Sequence, residues 1–187
     1  EFWRAMAVTN RGQVVCALGR MEEALQDLGA AREAMRRLGS RIEAYPLSHL
    51  GTVHAMRGDR GAAIRAYEEA VRLSEDQGDL QGLVPSLAGL ARVTATDDPA
   101  RARTLADRAC ETTSVLGHVE ALLASAHVAS IEGDHARAME DATRAGVTAT
   151  KRNDLPGIAE SLEVRARASA DSQECRRFLR EARDLWD

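Results

Sequence analysis

Residues 47–78 read LSHLGTVHAMRGDRGAAIRAYEEAVRLSEDQG, and the spacing inside this stretch decides the fold. Ala63, Tyr67 and Ala70 stand four and then three positions apart, which puts them on one face of a helix. The same triplet recurs as Ala24/Leu28/Ala31, Ala102/Ala106/Ala109, Ala138/Ala142/Ala145 and Cys175/Leu179/Ala182, at steps of 39, 39, 36 and 37 residues. A repeat with a period of about 20–50 residues marks a stacked array of small structural units. Small residues at the recurring positions let neighbouring helix backbones approach closely.

Punctuation along the chain divides each copy into two helices. Gly39, Gly78, Gly117 and Asn153 each lie 15 residues after the small residue of their copy. Gly, and after it Asn, tolerates the left-handed conformation that ends many helices. Asp79 and Asp154 then read as N-caps, and Ser40-Arg41-Ile42-Glu43 reads as a capping box. His118 is a poor cap. A second turn inside each copy runs through Leu18-Gly19-Arg20, Arg57-Gly58-Asp59, Asp97-Asp98-Pro99, Glu132-Gly133-Asp134 and Ala170-Asp171-Ser172. Five helix–turn–helix hairpins, about ten helices in all, follow from this pattern, with no strand alternation anywhere. The constant 15-residue interval predicts second helices of equal length. The intervals from terminator to the next small residue, 24, 24, 21 and 22, predict an extra turn at the start of the first helix in copies two and three. Pro46 and Pro85 occupy matching places there and are expected to tilt that turn away.

Composition narrows the function classes. Of 187 residues, 44% are apolar and only 3% aromatic, so the core rests on Ala, Leu, Val and Ile. A net charge of −4 argues against a surface built to neutralise phosphates. Cys16, Cys110 and Cys175 are far apart and show no metal-ligand or disulfide spacing, so no cofactor and no metal site is expected. No apolar run reaches the roughly 18 residues of a membrane span, and a cytoplasmic location is expected. The chain carries no Walker A motif, no GxGxxG, no HExxH and no Gly-x-Ser-x-Gly. The adjacent pairs Glu22/Glu23 and Glu68/Glu69 point apart on a helix, so neither can flank one substrate bond. A non-catalytic chain is therefore expected. Its start at Glu1-Phe2 and its stop at Asp187 read as the edges of a piece of a larger protein.

The repeat resembles the tetratricopeptide repeat, in which Leu-Gly marks the first helix and Ala-x3-Phe-x2-Ala the second. Copy two matches best, with Leu50-Gly51, His54, Gly58-Asp59, Ala63, Tyr67 and Ala70. Copy one keeps Gly12, Gly19, Glu23-Ala24, Leu28 and Ala31. In copies three and five, Leu90 and Glu163 replace the first Gly. The resemblance implies an all-α, right-handed solenoid over residues 1–187, with repeats near 5–39, 40–78, 79–117, 118–153 and 154–187. The long period and Gly-terminated second helices also look like repeats of large bacterial MalT-like or LuxR-type activators and SARP-type transcription regulators.

In tetratricopeptide arrays the first helices line an inner groove, which implies a protein- or peptide-binding scaffold, with a small-effector sensor as the alternative. The candidate groove residues are Gln13, Tyr45, His49, Thr52, Met56 and His127. A wider lining takes in Thr9, Cys16, Ser48, Val84, Leu87, Ala91, Thr94, Leu123, Ser130, Glu160, Val164 and Arg167. The slots at which chaperone-binding members hold a terminal carboxylate with Lys and Asn are here Thr9, Gln13, His49, Val84 and Ala88, so that activity is not implied. Direct nucleic-acid and membrane contacts are not expected. End helices, notably around Trp186, offer a route to homo-oligomers.

Overall fold

The computed structural model describes residues 1–112 and 118–186. Among these residues the secondary structure is helical, in ten elements. They are α1 (Phe2–Ala17), α2 (Met21–Arg37), α3 (Ala44–Met56), α4 (Arg60–Gln77), α5 (Leu80–Thr94), α6 (Pro99–Glu111), α7 (His118–Glu132), α8 (His135–Arg152), α9 (Leu155–Ala168) and α10 (Ser172–Trp186).

The helices pair in order, α1 with α2 through to α9 with α10, and each second helix also packs on the first helix that follows it. First helices pack closely on one another, as α1 on α3, α3 on α5, α5 on α7 and α7 on α9, whereas second helices stand farther apart and reach one another through long ion-paired side chains, as Arg32 to Glu69, Arg101 to Glu68 and Arg137 to Asp107. Such contacts force a curve, with odd-numbered helices on the inner side. The result is an all-α solenoid of five hairpins, as the repeat predicts.

The core is built at the repeat positions. Ala24, Ala63, Ala102 and Ala138 are each fully buried at 0% exposure. Tyr67 shows how the stacking works. A Cβ on Gly51 of α3 would lie 2.8 Å from the Tyr67 ring, and one on Gly89 of α5 would lie 2.3 Å from it. The ring therefore fills a slot that two glycines leave open, one in its own hairpin and one in the next.

Helix ends follow the sequence closely in places. Gly39, Gly78 and Asn153 all take the left-handed conformation, with φ of 60°, 66° and 55°, and Asn153 is the non-glycine that does so among the described residues. Behind Gly78, the Asp79 amide donates to the Ser74 carbonyl at 2.8 Å; behind Asn153, the Asp154 amide donates to the Ala149 carbonyl at 3.0 Å. Both arrangements satisfy carbonyls that a helix end leaves unpaired. Asp79 accepts from the Gln81 amide and Asp154 from the Gly157 amide, each at 3.0 Å. Asp59, Asp98 and Asp134 cap the second helices in the same way.

Three expectations are corrected. Second helices are not of equal length, since α6 has 13 residues against 17 in α2 and 18 in both α4 and α8. It ends where Thr112 turns extended at ψ 112°, at the head of the sequence Thr-Thr-Ser-Val, whose β-branched and hydroxyl residues are poor helix formers. The terminator expected at Gly117 lies outside the described residues. Second, the capping box does not form. Ser40 Oγ accepts from the Ile42 amide at 3.3 Å, residues 41–43 are a turn, and Glu43 pairs with Arg32 at 3.8 Å. Third, the first helices of copies two and three are not extended. α3 has 13 residues and α5 has 15, the same as α7. The additional residues form the turn ahead of α3 and a longer turn over 95–98 after α5. Pro46 is consequently the third residue of α3, where a missing N–H costs nothing, while Pro85 sits inside a continuous α5.

Candidate binding groove

The inner side carries two different groups of side chains. On α1 and α3, the Gln13 amide reaches both Tyr45 and His49: Gln13 Nε2 lies 2.8 Å from Tyr45 Oη and 2.7 Å from His49 Nε2. The Tyr45 and His49 rings meet edge to face with centroids 4.7 Å apart. With both amide protons donated, His49 Nε2 accepts, which assigns the neutral imidazole carrying its proton on Nδ1. Burial acts in the same direction and lowers the His49 pKa to about 4.

One turn along α3, Thr52 is exposed, and its hydroxyl lies 3.0 Å from Tyr67 Oη. Burial raises the Tyr67 pKa, so the phenol stays protonated and the pair is a neutral hydrogen bond. At the end of α3, Met56 is 56% exposed. Its Sδ is 3.5 Å from Cys16 Sγ, which in turn is 3.9 Å from Met21 Sδ. Burial raises the Cys16 pKa, which makes it a packing thiol and not a nucleophile.

The other end of the inner side is charged. Arg92 on α5 forms an ion pair with Glu160 on α9, passing over α7, which carries the half-buried His127. Burial and then the positive charges of Arg92 and Arg167 lower the His127 pKa. Five of the six sequence candidates, Gln13, Tyr45, His49, Thr52 and Met56, thus lie together on α1 and α3, whereas His127 belongs to the charged end with Arg92, Glu160 and Arg167.

Much of the wider lining is packing. Thr9, Cys16, Ser48, Val84, Leu87, Ala91, Thr94, Leu123 and Val164 are buried between helices. The hydroxyls of Thr9 and Thr94 bond to their own helices; Thr9 donates to the Ala5 carbonyl at 2.9 Å and Thr94 to the Leu90 carbonyl at 2.7 Å. Sequence reasoning missed Arg92, because the repeat pattern gives no cue to a partner two hairpins away. No group of three or more His, Cys, Asp or Glu sits together to hold a metal among the described residues. No helix among them is long and apolar enough to cross a membrane.

Residues 3–76 match the tetratricopeptide repeat family. That span covers the first two hairpins, where the repeat positions are best kept. Two solved structures share the TPR-like architecture over nearly the whole chain. The crystal structure of the Podosopora anserina putative kinesin light chain nearly identical TPR-like repeats superposes with a TM-score of 0.63 at 16% identity, covering 100% of this chain and 96% of that one. A second crystal structure of those repeats, carrying a single substitution, superposes with a TM-score of 0.62 at 18% identity, covering 97% and 94%. At such identities the likeness establishes the TPR-like fold. No curated protein matches the sequence.

Proposed function

We propose that this chain is a non-catalytic scaffold that binds a protein or peptide along the inner side formed by α1, α3, α5, α7 and α9. The observation that carries the reading is the two-part surface. A neutral, hydrogen-bonding patch of Gln13, Tyr45, His49, Thr52 and Met56 leads to a charged end at Arg92, His127 and Glu160. An extended or helical segment with a polar uncharged half and an acidic or basic terminus suits this order of groups. The whole of 1–187 acts as one array in this reading, in the cytoplasm, as the interaction or sensing segment of a larger bacterial regulator. The long repeat period and the left-handed glycines that close α2 and α4 support that placement.

The test is calorimetric. Peptides selected by display against the wild-type chain are titrated into Thr52→Arg/His127→Glu. Affinity is expected to fall at least about tenfold, because an added charge is buried against each half of the ligand. Unchanged affinity would remove the groove assignment.

A further inference from the structure

Three sulfur atoms converge where the first two hairpins meet. Cys16 lies in the last turn of α1, Met21 is the first residue of α2 and Met56 is the last of α3. Cys16 Sγ stands 3.9 Å from Met21 Sδ and 3.5 Å from Met56 Sδ. The repeat itself calls for no sulfur at these places. Counted back from the small residue of each triplet, the equivalents of Cys16 are Ala55, Thr94, Ser130 and Arg167. The equivalents of Met21 and Met56 hold neither Met nor Cys in any other copy. Motif spacing does not register the cluster, because its members come from three helices.

The distances suit a single ion. A three-coordinate metal with sulfur bonds of about 2.3 Å holds its ligands about 4 Å apart, close to both values, with Cys16 as the shared corner. Met56 is unbranched and 56% exposed; its side-chain torsions can close the third edge, and it gives an ion a way in from solvent. The remaining walls are apolar, since Val15, Ala24, Leu25, Leu28 and Val53 pack around the thiol. Such surroundings favour a site of zero net charge. A monovalent cation on one thiolate and two neutral thioethers meets that condition, whereas a divalent cation leaves a positive charge buried without a partner. Thiolate and thioether ligands together also select copper(I). We propose that Cys16, Met21 and Met56 form a trigonal site for a soft monovalent cation, copper(I). Burial keeps the free Cys16 thiol protonated. Binding therefore breaks its S–H bond, forms the S–metal bond and releases one proton to solvent, with no change in the oxidation state of the ion.

The probe is copper(I) itself, kept reduced with ascorbate under anaerobic conditions and titrated against bicinchoninate, whose coloured copper(I) complex reports the metal it retains. Cys110→Ala/Cys175→Ala serves as the reference chain, which leaves Cys16 as its one thiol. One equivalent is expected to bind with release of one proton, and X-ray absorption should show three sulfur neighbours at about 2.3 Å. Adding Met21→Leu/Met56→Leu conserves side-chain volume and should weaken binding at least about tenfold, with helix content unchanged by circular dichroism. Adding Cys16→Ala should abolish binding. Equimolar zinc(II) should leave the copper titration as it was. Unchanged affinity in Met21→Leu/Met56→Leu would overturn the proposal in favour of a thiol acting alone. Two sulfur neighbours, or nitrogen or oxygen neighbours, in the absorption spectrum would overturn it as well. So would copper binding that survives Cys16→Ala, displacement of the copper by zinc(II), or no binding at all.

Discussion

Tyr67 is the residue on which two hairpins close, and the glycines around it explain why the repeat tolerates an aromatic there. Adding one methyl at Gly89 places a carbon 2.3 Å from Tyr67 Cζ, so Gly89→Ala is expected to destabilise by about 1–3 kcal/mol, read from urea midpoints. Gly89→Ala with Tyr67→Leu should cost less than the sum of the two single changes, because the smaller side chain removes the clash. Gly51 was legible in the sequence as a repeat position. Gly89 was not, since it serves the ring of the preceding copy and stands beside Leu90 in a degenerate one. His49 makes a second prediction at this scale. Its pKa lies near 4 in the folded protein, below the ordinary value of about 6.5. Between those values the unfolded chain takes up a proton that the folded one refuses. The stability contributed is complete above the ordinary value and is lost as pH falls through the folded one. Relative to His49→Gln, wild type should lose about 1–3 kcal/mol between neutral pH and pH 4; parallel curves would rule this out. Gln13→Glu puts a carboxylate beside the ring and should raise the His49 pKa by about 1–3, measured by NMR titration of the imidazole.

Elements end here by two routes, and only one of them was written plainly in the sequence. Gly78 and Asn153 close α4 and α8 in the left-handed conformation, and the residue types that tolerate it are few enough to be recognised. Gly78→Ala is therefore expected to lower stability by about 1–2 kcal/mol, whereas Asn153→Gly should raise it slightly; thermal melts of the two variants should move in opposite directions. α6 ends by the other route. No positive φ marks Glu111 or Thr112, and the helix stops as its propensity runs out. A rule that counts 15 residues to the next glycine cannot see this, because propensity is graded and a terminator is not. The turn over 41–43 has the same lesson. Ser and Glu stand at capping-box spacing, yet Glu43 lies within 3.8 Å of Arg32 on the neighbouring α2, so a tertiary contact takes the side chain that the local motif needs.

Across the whole molecule the repeat made the architecture readable, because each hairpin buries its apolar side against the next and the period records that fact. The groove was less readable. The candidate residues could be placed on the odd-numbered helices, but their hydrogen bonds and ion pairs join side chains from different copies, and that depends on how far one hairpin is rotated against another. Arg92 and Glu160 are the longest-reaching case. A stacked array is stabilised mainly by adjacent-unit contacts, yet this pair ties the third hairpin to the fifth. With both side chains partly exposed, a double-mutant cycle on Arg92→Met and Glu160→Gln should yield a coupling of up to about 1 kcal/mol, and a value of zero would show the two hairpins to be energetically independent. The pair ties α5 to α9 across α7, so a carboxylate that displaced Glu160 from Arg92 would remove one weak restraint on the arc. Occupancy of the groove and the bend of the superhelix would then be mechanically coupled. Small-angle scattering of Glu160→Gln should accordingly give a larger radius of gyration than wild type, and identical profiles would mean that the bend is set elsewhere.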